Sequence, residues 1–179
     1  MSDAGYVRRA QRTVYENPWL RFEAHDIVHP NGTGGVHGVV VTPRASAVVL
    51  VDGDDVLLVR QARFAVDRVV LEVIKGGGHD GEYALACAQR ESREEAGVVA
   101  ERWVALGETY EIPSIVQEPV ALFLGTGLTR APLEPEAVER IEVVRMRFAD
   151  ALDACADGRI DDAVTAIALV RARRVLEQR

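Results

Sequence analysis

Cysteine is scarce in this 179-residue chain, and its two examples, Cys87 and Cys155, lie far apart. Two isolated cysteines match neither a disulfide framework nor the spacing of a zinc site, and free cysteines are usually buried as reduced thiols. Basic residues are too few to balance the acids, since the formal net charge is -7. Nonspecific binding to a nucleic-acid backbone depends on clustered Lys and Arg, so we expect no nucleic-acid partner.

Long apolar runs are missing as well. No stretch approaches the roughly 20 apolar residues of a membrane-spanning helix, and residues 1–12 lack the apolar segment of a secretory signal. The sequence therefore predicts a cytoplasmic protein with no membrane partner. About half of the residues are apolar (48%) and 27% are charged, which is an ordinary globular composition.

The N-terminal part has the pattern of a short antiparallel sheet. β-branched and aromatic residues recur through residues 6–43, and Pro30-Asn31-Gly32 forms a turn signal between two of the runs. We therefore divide the chain into an N-terminal β-sheet region at 1–44 and a second region at 45–179.

The second region mixes strands and helices without regular alternation. The turn signal Asp52-Gly53-Asp54-Asp55 predicts a hairpin. Because the order of elements is irregular, we expect an α+β fold in which a mixed sheet lies between helices. The expected strands are 45–51, 56–59, 69–74, 99–106, 120–125 and 141–146, and the expected helices are 83–96, 148–155 and 161–176.

Three glutamates cluster on the helix predicted for residues 83–96, which contains no Gly or Pro and ends where Gly97 would cap it. At about 100° per residue, Glu91, Glu94 and Glu95 fall within an arc of about 100°. Neighbouring carboxylates repel one another, so a cation is the natural way to hold them together. Clustered carboxylate oxygens are the ligands that Mg²⁺ or Mn²⁺ prefers.

The other faces of this helix support two interpretations of the acids. Arg90 and Arg93 are expected to point away from the acids. One interpretation is an ordinary solvated acidic face whose charge these two arginines partly neutralise. A glycine-rich segment, Gly76 to Gly81, opens directly into the helix, and an irregular loop of this kind brings backbone groups close to a ligand. That loop favours a binding site over a solvated face. A second stripe of the helix is expected to face the sheet, comprising Leu85, Ala88, Ser92, Ala96 and Val99.

A fixed spacing joins the glycine segment to the acidic helix, carried by Gly76, Glu82, Arg90, Glu91, Glu94, Glu95 and Gly97. With each residue type used near 7%, these seven matches arise by chance at roughly 10⁻⁸ per starting position. The pattern resembles the signature of the Nudix hydrolases. Ser92 stands where that family usually has an apolar residue, and we expect its hydroxyl to bond to the carbonyl of Ala88.

Further matches lie outside this signature, at Arg60-Gln61-Ala62-Arg63-Phe64, Glu72, Pro113, Glu118, Phe123-Leu124 and Gly158 to Ala163. Together they resemble the ADP-ribose pyrophosphatase branch of the family and cover most of the chain. Some positions depart from that branch: Ile74-Lys75 replaces the usual Pro-Ala, Ser114 replaces a common Gly, and Pro119 replaces a frequent basic residue. These departures affect the choice of substrate and leave the acids intact.

The resemblance implies a metal site on the acidic helix. Glu91 and Glu95 would be ligands, Glu94 would assist or ligate a further ion, and the backbone carbonyl of Lys75 would match another ligand position. The implied cofactor is Mg²⁺, with Mn²⁺ as an alternative. Arg90 would orient one of these acids through its i,i+4 relation to Glu94.

The resemblance also implies groups that act on the substrate. The general base would be a glutamate before the last strand, for which Glu139 aligns best and Glu136 is the alternative. Arg63 would contact a phosphate, Glu118 would contact the nucleoside, and the backbone at Gly77 would contribute to substrate binding.

The implied fold is an α/β/α sandwich with a mixed sheet, preceded by the small N-terminal sheet. The implied reaction is Mg²⁺-dependent hydrolysis of ADP-ribose, or a related nucleoside diphosphate sugar, to a nucleoside monophosphate and a sugar phosphate. NADH, dinucleoside polyphosphates and GDP-sugars are alternative substrates, and a sensor that binds a nucleotide without cleaving it is an alternative of another class. The apolar strands around Trp19 and the habit of the branch imply a homodimer formed through residues 1–44, with 45–179 as the hydrolase domain.

Overall fold

The structure, a computed structural model, describes residues 4–132 and 141–178. The chain divides into two compact units: the first comprises Met1–Pro43 and Tyr110–Pro119, and the second comprises Arg44–Thr109 and Val120–Arg179. Among the helices of the described ranges, none combines the length and the apolar character that crossing a membrane requires.

Most of the expected elements are present, with shifted bounds. The strands are β1 (Val7–Glu16), β2 (Arg21–Val28), β3 (Gly34–Val41), β4 (Ala45–Asp52), β5 (Asp55–Arg63), β6 (Arg68–Glu72), β7 (Ile74–Gly77), β8 (Val98–Tyr110), β9 (Val116–Gln117), β10 (Pro119–Arg130) and β11 (Ile141–Arg147). The helices are α1 (Ala84–Ala96), α2 (Phe148–Ala156) and α3 (Ala163–Leu176), with a short 3₁₀ turn at Phe64–Val66.

The first unit is a sheet whose described strands are ordered β1-β2-β3-β9. β2 pairs antiparallel with both β1 and β3, which confirms the predicted antiparallel sheet. The sequence does not predict the last strand: β9 pairs parallel with β3, where Val40 lies opposite Val116. This pairing draws residues 110–119 into the first unit, although the sequence-based boundary assigned them to the second region. A two-residue strand is too short for residue periodicity to reveal.

The second unit is built around β4, in which Ala45 to Val51 are all buried. Its described sheet has the order β11-β5-β4-β10-β8, with β6 beside β5 and β7 beside β4. β10 pairs with β4 in parallel and β5 pairs with it antiparallel, so the sheet is mixed. Successive side chains of a strand point to opposite faces: Val48 packs in one cluster with Ala88 of α1, and Val49 packs in another with Leu169 of α3. The predicted mixed sheet between helices is confirmed.

The glycine segment before α1 is more regular than the sequence predicts. An irregular loop was expected from Gly76 onward, but Gly76 and Gly77 belong to β7, and Gly76 pairs with Ser46 of β4. The N–H of Gly78 then donates to the carbonyl of Arg44 at 2.7 Å. The expectation was wrong because glycine is depleted in strands, whereas here the backbone pairing with a buried strand decides the conformation.

Helix α1 ends at Ala96, where Gly97 takes a left-handed conformation (φ 61°) and its N–H donates to the carbonyl of Arg93. A residue with a Cβ is strained in that conformation, so the predicted glycine cap has a steric reason. The expected bond from the Ser92 hydroxyl to the Ala88 carbonyl is present at 2.7 Å.

The stripe predicted to face the sheet is only partly buried. Ala88, Ser92 and Ala96 are buried, but Leu85 is 38% exposed and Val99 is 36% exposed. The burial of Glu91 and Glu95 shows that the buried face of α1 is turned toward the glutamates. The prediction was wrong at Leu85 and Val99, the two ends of the stripe. The stripe left out the acids, whereas Glu91 and Glu95 occupy part of the buried face of α1.

Candidate active site

Gly76 lies directly beneath the carboxylate of Glu91. A Cβ built on Gly76 would overlap both carboxylate oxygens of Glu91. Glu91 is 8% exposed, so its carboxylate is enclosed between α1 and β7. Only a residue without a side chain leaves room for a carboxylate at this point, which gives the first glycine of the sequence pattern a physical role.

Arg90 is the centre of the acidic cluster. Its Nη1 donates to Glu91 at 2.7 Å and to Glu94 at 2.6 Å. Its Nε and Nη2 donate to the two carboxylate oxygens of Glu82 at 3.0 and 3.1 Å, and Nη2 also donates to the carbonyl of Gly77 at 2.8 Å. One guanidinium therefore joins three carboxylates to the glycine strand.

The expectation from the helical wheel that Arg90 points away from the acids is wrong, whereas the i,i+4 contact with Glu94 that the resemblance implies is present. A helical wheel gives the direction of the Cβ, whereas the long side chain of an arginine reaches sideways over its neighbours. The hydrogen bonds to Glu82 raise the pKa of Arg90 above its already high ordinary value, with further contributions from the charge of Glu91 and from the hydrogen bonds to Glu94 and Glu91, although burial opposes this. The hydrogen bond from Arg90 in turn lowers the pKa of Glu82, against the effect of burial, so both groups stay charged.

Glu95 contacts the strand that precedes the glycines. The backbone N–H of Lys75 donates to the Glu95 carboxylate at 3.3 Å, and Glu95 is 6% exposed. The structure thus places Glu91 and Glu95, one helical turn apart, against neighbouring residues of β7. Of the predicted ligands, Glu91, Glu94 and Glu95 therefore lie on α1, and the backbone of Lys75 contacts Glu95 from the adjoining strand.

Beyond Lys75 lies a buried ion-pair network. The ammonium of Lys75 is 3.0 Å from Glu72 and 2.7 Å from Asp162, the residue that caps the start of α3. Glu72 is 1% exposed, and its other oxygen accepts a hydrogen bond from Arg63 Nε at 2.7 Å. The predicted phosphate contact, Arg63, is therefore held by the same carboxylate that holds Lys75.

Charge pairing within this network outweighs burial. Burial alone would lower the pKa of Lys75, but the charges of Asp162 and Glu72 hold it above its ordinary value. Burial alone would raise the pKa of Asp162, but the ammonium of Lys75 and the hydrogen bonds from Thr165 hold it below its ordinary value. Both residues are ionised at neutral pH.

The donor atoms in this region suit a hard divalent cation. Among the described residues, no group of three or more His, Cys, Asp or Glu side chains is arranged closely enough to hold a metal ion. Glu91 and Glu94 bond to Arg90 instead. The ligand types nevertheless fit, because carboxylate and carbonyl oxygens are what Mg²⁺ and Mn²⁺ prefer. Gly76 also provides space beside Glu91 that a Cβ would fill. Arg90 Nη1 bonds to one oxygen of Glu91 and one oxygen of Glu94, and a carboxylate can accept such a bond and bind a cation at the same time.

The remaining predicted residues are placed as follows. Gly77 lies in the cluster through its bond with Arg90. Glu118 lies in the first unit, between β9 and β10, and is half-buried. The two candidates for the general base, Glu139 and Glu136, lie outside the described residues, so their role stays a prediction.

Sequence reasoning did not identify the partners of Glu82, Glu72 and Asp162. Glu82 and Glu72 were recognised as matching positions, but nothing in their local pattern shows that they bind arginines. Asp162 stands three residues before Thr165, and its Oδ2 accepts the Thr165 N–H at 2.9 Å. That spacing is typical of a helix N-cap, and it could have placed Asp162 at the start of α3.

Comparison with protein families gives two matches. Residues 41–166 match the NUDIX domain. Residues 8–40 match the nucleoside diphosphate sugar hydrolase N-terminal domain. The two matches together span nearly the whole described chain and meet close to the division between the N-terminal strands and the second unit.

The chain is also similar to individual proteins that are named as hydrolases of diphosphate compounds. An ADP-ribose pyrophosphatase of Bacillus subtilis (strain 168) is 28% identical over 163 residues, which is 89% of this chain and 88% of the relative. A GDP-mannose pyrophosphatase of Yersinia pestis (strain Pestoides F) is 37% identical over 93 residues, 50% of this chain and 47% of the relative. The crystal structure of an ADP compounds hydrolase superimposes with a TM-score of 0.86 at 24% identity, covering 97% of this chain and 95% of that one. That structure shows the same fold.

Proposed function

The chain belongs to the NUDIX domain family, and on that premise we propose that it hydrolyses the diphosphate of ADP-ribose or a related nucleoside diphosphate sugar. Water would add across one P–O bond of the diphosphate, which gives a nucleoside monophosphate and a sugar phosphate. The observation that carries the proposal is the cluster in which Arg90 gathers Glu82, Glu91 and Glu94 beside the glycine strand. The similarity to an ADP-ribose pyrophosphatase, which covers 89% of this chain, supports the choice of substrate.

The proposed cofactor is Mg²⁺, with Mn²⁺ as an alternative. Glu91 and Glu95 would hold it, with Glu94 and the carbonyl of Lys75 as further ligands. When bound, the ion supplies charge neutralisation for the anionic diphosphate and lowers the pKa of a water molecule. A diphosphate and several glutamates are all anionic, so the substrate cannot approach these side chains unless cations lie between them.

The protein groups have separate tasks in this proposal. Arg90 fixes the orientations of Glu91 and Glu94. Arg63, which Glu72 orients through Nε, would bind phosphate oxygens, since a guanidinium suits that geometry. The backbone of Gly77 and the side chain of Glu118 would bind other parts of the substrate. Glu139 would take the proton of the attacking water, with Glu136 as the alternative.

A GDP-sugar is the second candidate substrate, favoured by the 37% identity to a GDP-mannose pyrophosphatase. NADH and dinucleoside polyphosphates share the same reacting linkage. The alternative of a non-cleaving sensor is opposed by the presence of Glu91, Glu94 and Glu95 together, because a binding site that only recognises a diphosphate does not need three adjacent acids.

The test is a substrate panel with Mg²⁺, in which phosphate is measured after phosphatase treatment of the products. We expect hydrolysis of ADP-ribose and, in Glu95→Gln, a loss of turnover by orders of magnitude with an unchanged circular dichroism spectrum. The matched control is Glu177→Gln, which removes an exposed pair with Arg173 and should keep wild-type turnover, since such pairs contribute little. Wild-type turnover in Glu95→Gln, or binding of ADP-ribose without cleavage by the wild type, would refute the proposal.

We also propose that the protein is a homodimer formed through the N-terminal sheet. Trp19 is 74% exposed, and Val14 and Tyr15 are 56% and 57% exposed. These side chains are close in sequence, since Val14 and Tyr15 belong to β1 and Trp19 follows it, and exposed apolar patches mark interaction sites.

A further inference from the structure

The segment from Glu72 to Lys75 joins β6 to β7 and comes immediately before Gly76. It is almost completely buried: Glu72 is 1% exposed, and Val73 and Ile74 are 0% exposed. The segment is tied to the first turn of α3 by two separate contacts, one through its backbone and one through a side chain.

The backbone contact passes through a buried hydroxyl. The N–H of Val73 donates to Thr165 Oγ1 at 2.9 Å, and that hydroxyl donates to Asp162 Oδ2 at 2.6 Å. Thr165 is 0% exposed. Asp162 Oδ2 also accepts the N–H of Thr165, so one oxygen of Asp162 serves the start of the helix and the other remains for a second partner.

That second partner is Lys75. Its ammonium donates to Asp162 Oδ1 at 2.7 Å and lies 3.0 Å from Glu72 Oε2. One cation therefore joins carboxylates from β6 and from the start of α3, and only 16% of the Lys75 side chain is exposed. Removing one member of a buried charge network is costly because it leaves the others in a poorly solvated place.

The same residue contacts the acidic helix with its backbone. The N–H of Lys75 donates to Glu95, and the next residue, Gly76, lies beneath Glu91. A shift of this segment would therefore move the backbone against which both glutamates rest.

We propose that Lys75 is a positioning residue: its ammonium, held between Glu72 and Asp162, fixes the backbone that supports Glu95 and Glu91. The inference rests on the proposed function, because it takes these two glutamates to be the metal ligands. It concerns the Lys75 side chain, and so it adds a role that the carbonyl of that residue does not have.

The test compares Lys75→Met with the wild type by titrating the purified proteins with Mn²⁺ in a calorimeter, which does not depend on turnover. We expect the dissociation constant for Mn²⁺ to rise about 10- to 100-fold, the range typical of residues that orient metal ligands. The Mg²⁺ concentration for half-maximal activity should rise in parallel, while KM for the substrate at saturating Mg²⁺ stays near the wild-type value. The matched control is Arg68→Met, which removes an exposed pair with the neighbouring Asp161 and should leave Mn²⁺ binding unchanged.

Other outcomes separate this inference from the proposed function. A raised KM with unchanged Mn²⁺ affinity would mean that the ammonium contacts the substrate, and it would overturn the positioning role, as would wild-type values throughout. If Lys75→Met is unfolded by circular dichroism, Lys75→Gln, which keeps a hydrogen-bond donor, has the same expectation, and wild-type Mn²⁺ affinity there overturns the inference. A wild type that binds Mn²⁺ but cleaves no diphosphate refutes the function alone, and one that binds no Mn²⁺ refutes both.

Discussion

The absence of one Cβ shapes the glutamate cluster. Gly76 pairs with β4 and at the same time lies beneath Glu91, and the added Cβ of any other residue would overlap the carboxylate. Since β4 is buried, the strand cannot easily move away. The carboxylate of Glu91 would have to move instead. Its movement would disturb Arg90, which bonds to both Glu91 and Glu94.

We therefore predict that Gly76→Ala folds but loses turnover by roughly 10²-fold, because small displacements of reacting groups are that costly. Initial rates with ADP-ribose and Mg²⁺, together with the circular dichroism spectrum, provide the measurement. Gly34→Ala is the matched control: Gly34 also lies in a strand, and a Cβ there meets no described atom within 4 Å. Equal turnover in Gly76→Ala and Gly34→Ala would contradict the prediction.

The sequence predicts the identities of the clustered acids well, because fixed spacing on a helix determines which Cβ atoms are neighbours. It does not predict how Arg90 reaches Glu82, or how Lys75 joins Glu72 to Asp162. These contacts join side chains from separate elements, and Lys75 and Asp162 are 87 positions apart. Such distances become short only when the sheet and α3 pack together.

At the scale of one element, β2 carries a row of hydrogen-bonded polar side chains on one face. Side chains two residues apart in a strand share a face: Arg21 Nε donates to Glu23 at 2.7 Å, and the other oxygen of Glu23 is 2.8 Å from His25 Nε2. Glu23 is only 5% exposed. The hydrogen bond from Arg21, and a weaker contribution from His25, lower the pKa of Glu23 although burial opposes this.

This lowered pKa predicts a pH-dependent contribution to stability. Because the folded protein keeps Glu23 ionised to a lower pH than the unfolded chain does, the contribution is present above the ordinary glutamate pKa of about 4.3 and is lost as pH falls through the lowered value. Glu23→Gln should therefore unfold at a lower temperature than the wild type at neutral pH, and the difference should shrink as the pH falls through the lowered pKa of Glu23. Thermal unfolding followed by circular dichroism measures it.

The control for this prediction is Asp26→Asn on the same strand, which breaks an exposed pair with Arg12. We expect little change in its unfolding temperature at any pH, since exposed pairs contribute little. A difference between Glu23→Gln and the wild type that grows on acidification would contradict the assigned direction.

Elements with strong periodicity or clear end signals are predicted closely. The sequence places α1 and the hairpin of β4 and β5 within a few residues of their bounds, because the glycine cap and the turn residues mark them. It fails at β7, where glycine-rich composition indicates a loop but pairing with β4 forms a strand. Composition reports local preference, and a buried neighbouring strand overrides that preference.

At the scale of the whole molecule, the mixed sheet between helices follows from the order of the elements. The order does not show that residues 110–119 belong to the first unit. That segment joins the first unit through β9 and through a hydrogen bond at 2.9 Å between His37 Nε2 and the carbonyl of Ser114. These contacts span more than 70 residues, since His37 and Ser114 are 77 positions apart. Local patterns therefore could not reveal them.

The proposed homodimer is the property of the whole molecule that is most directly measurable. Trp19, Val14 and Tyr15 leave large apolar area in water, and covering it in a dimer would be favourable by about 25 cal/mol per Å². We expect light scattering to give twice the 19.6 kDa chain mass, and Trp19→Glu to give the mass of one chain, because a buried charge opposes association. Val170→Glu is the control: Val170 is 61% exposed on α3 of the second unit, so this variant should stay dimeric. A wild type with the mass of one chain, or equal effects of the two variants, would exclude the N-terminal sheet as the dimer interface.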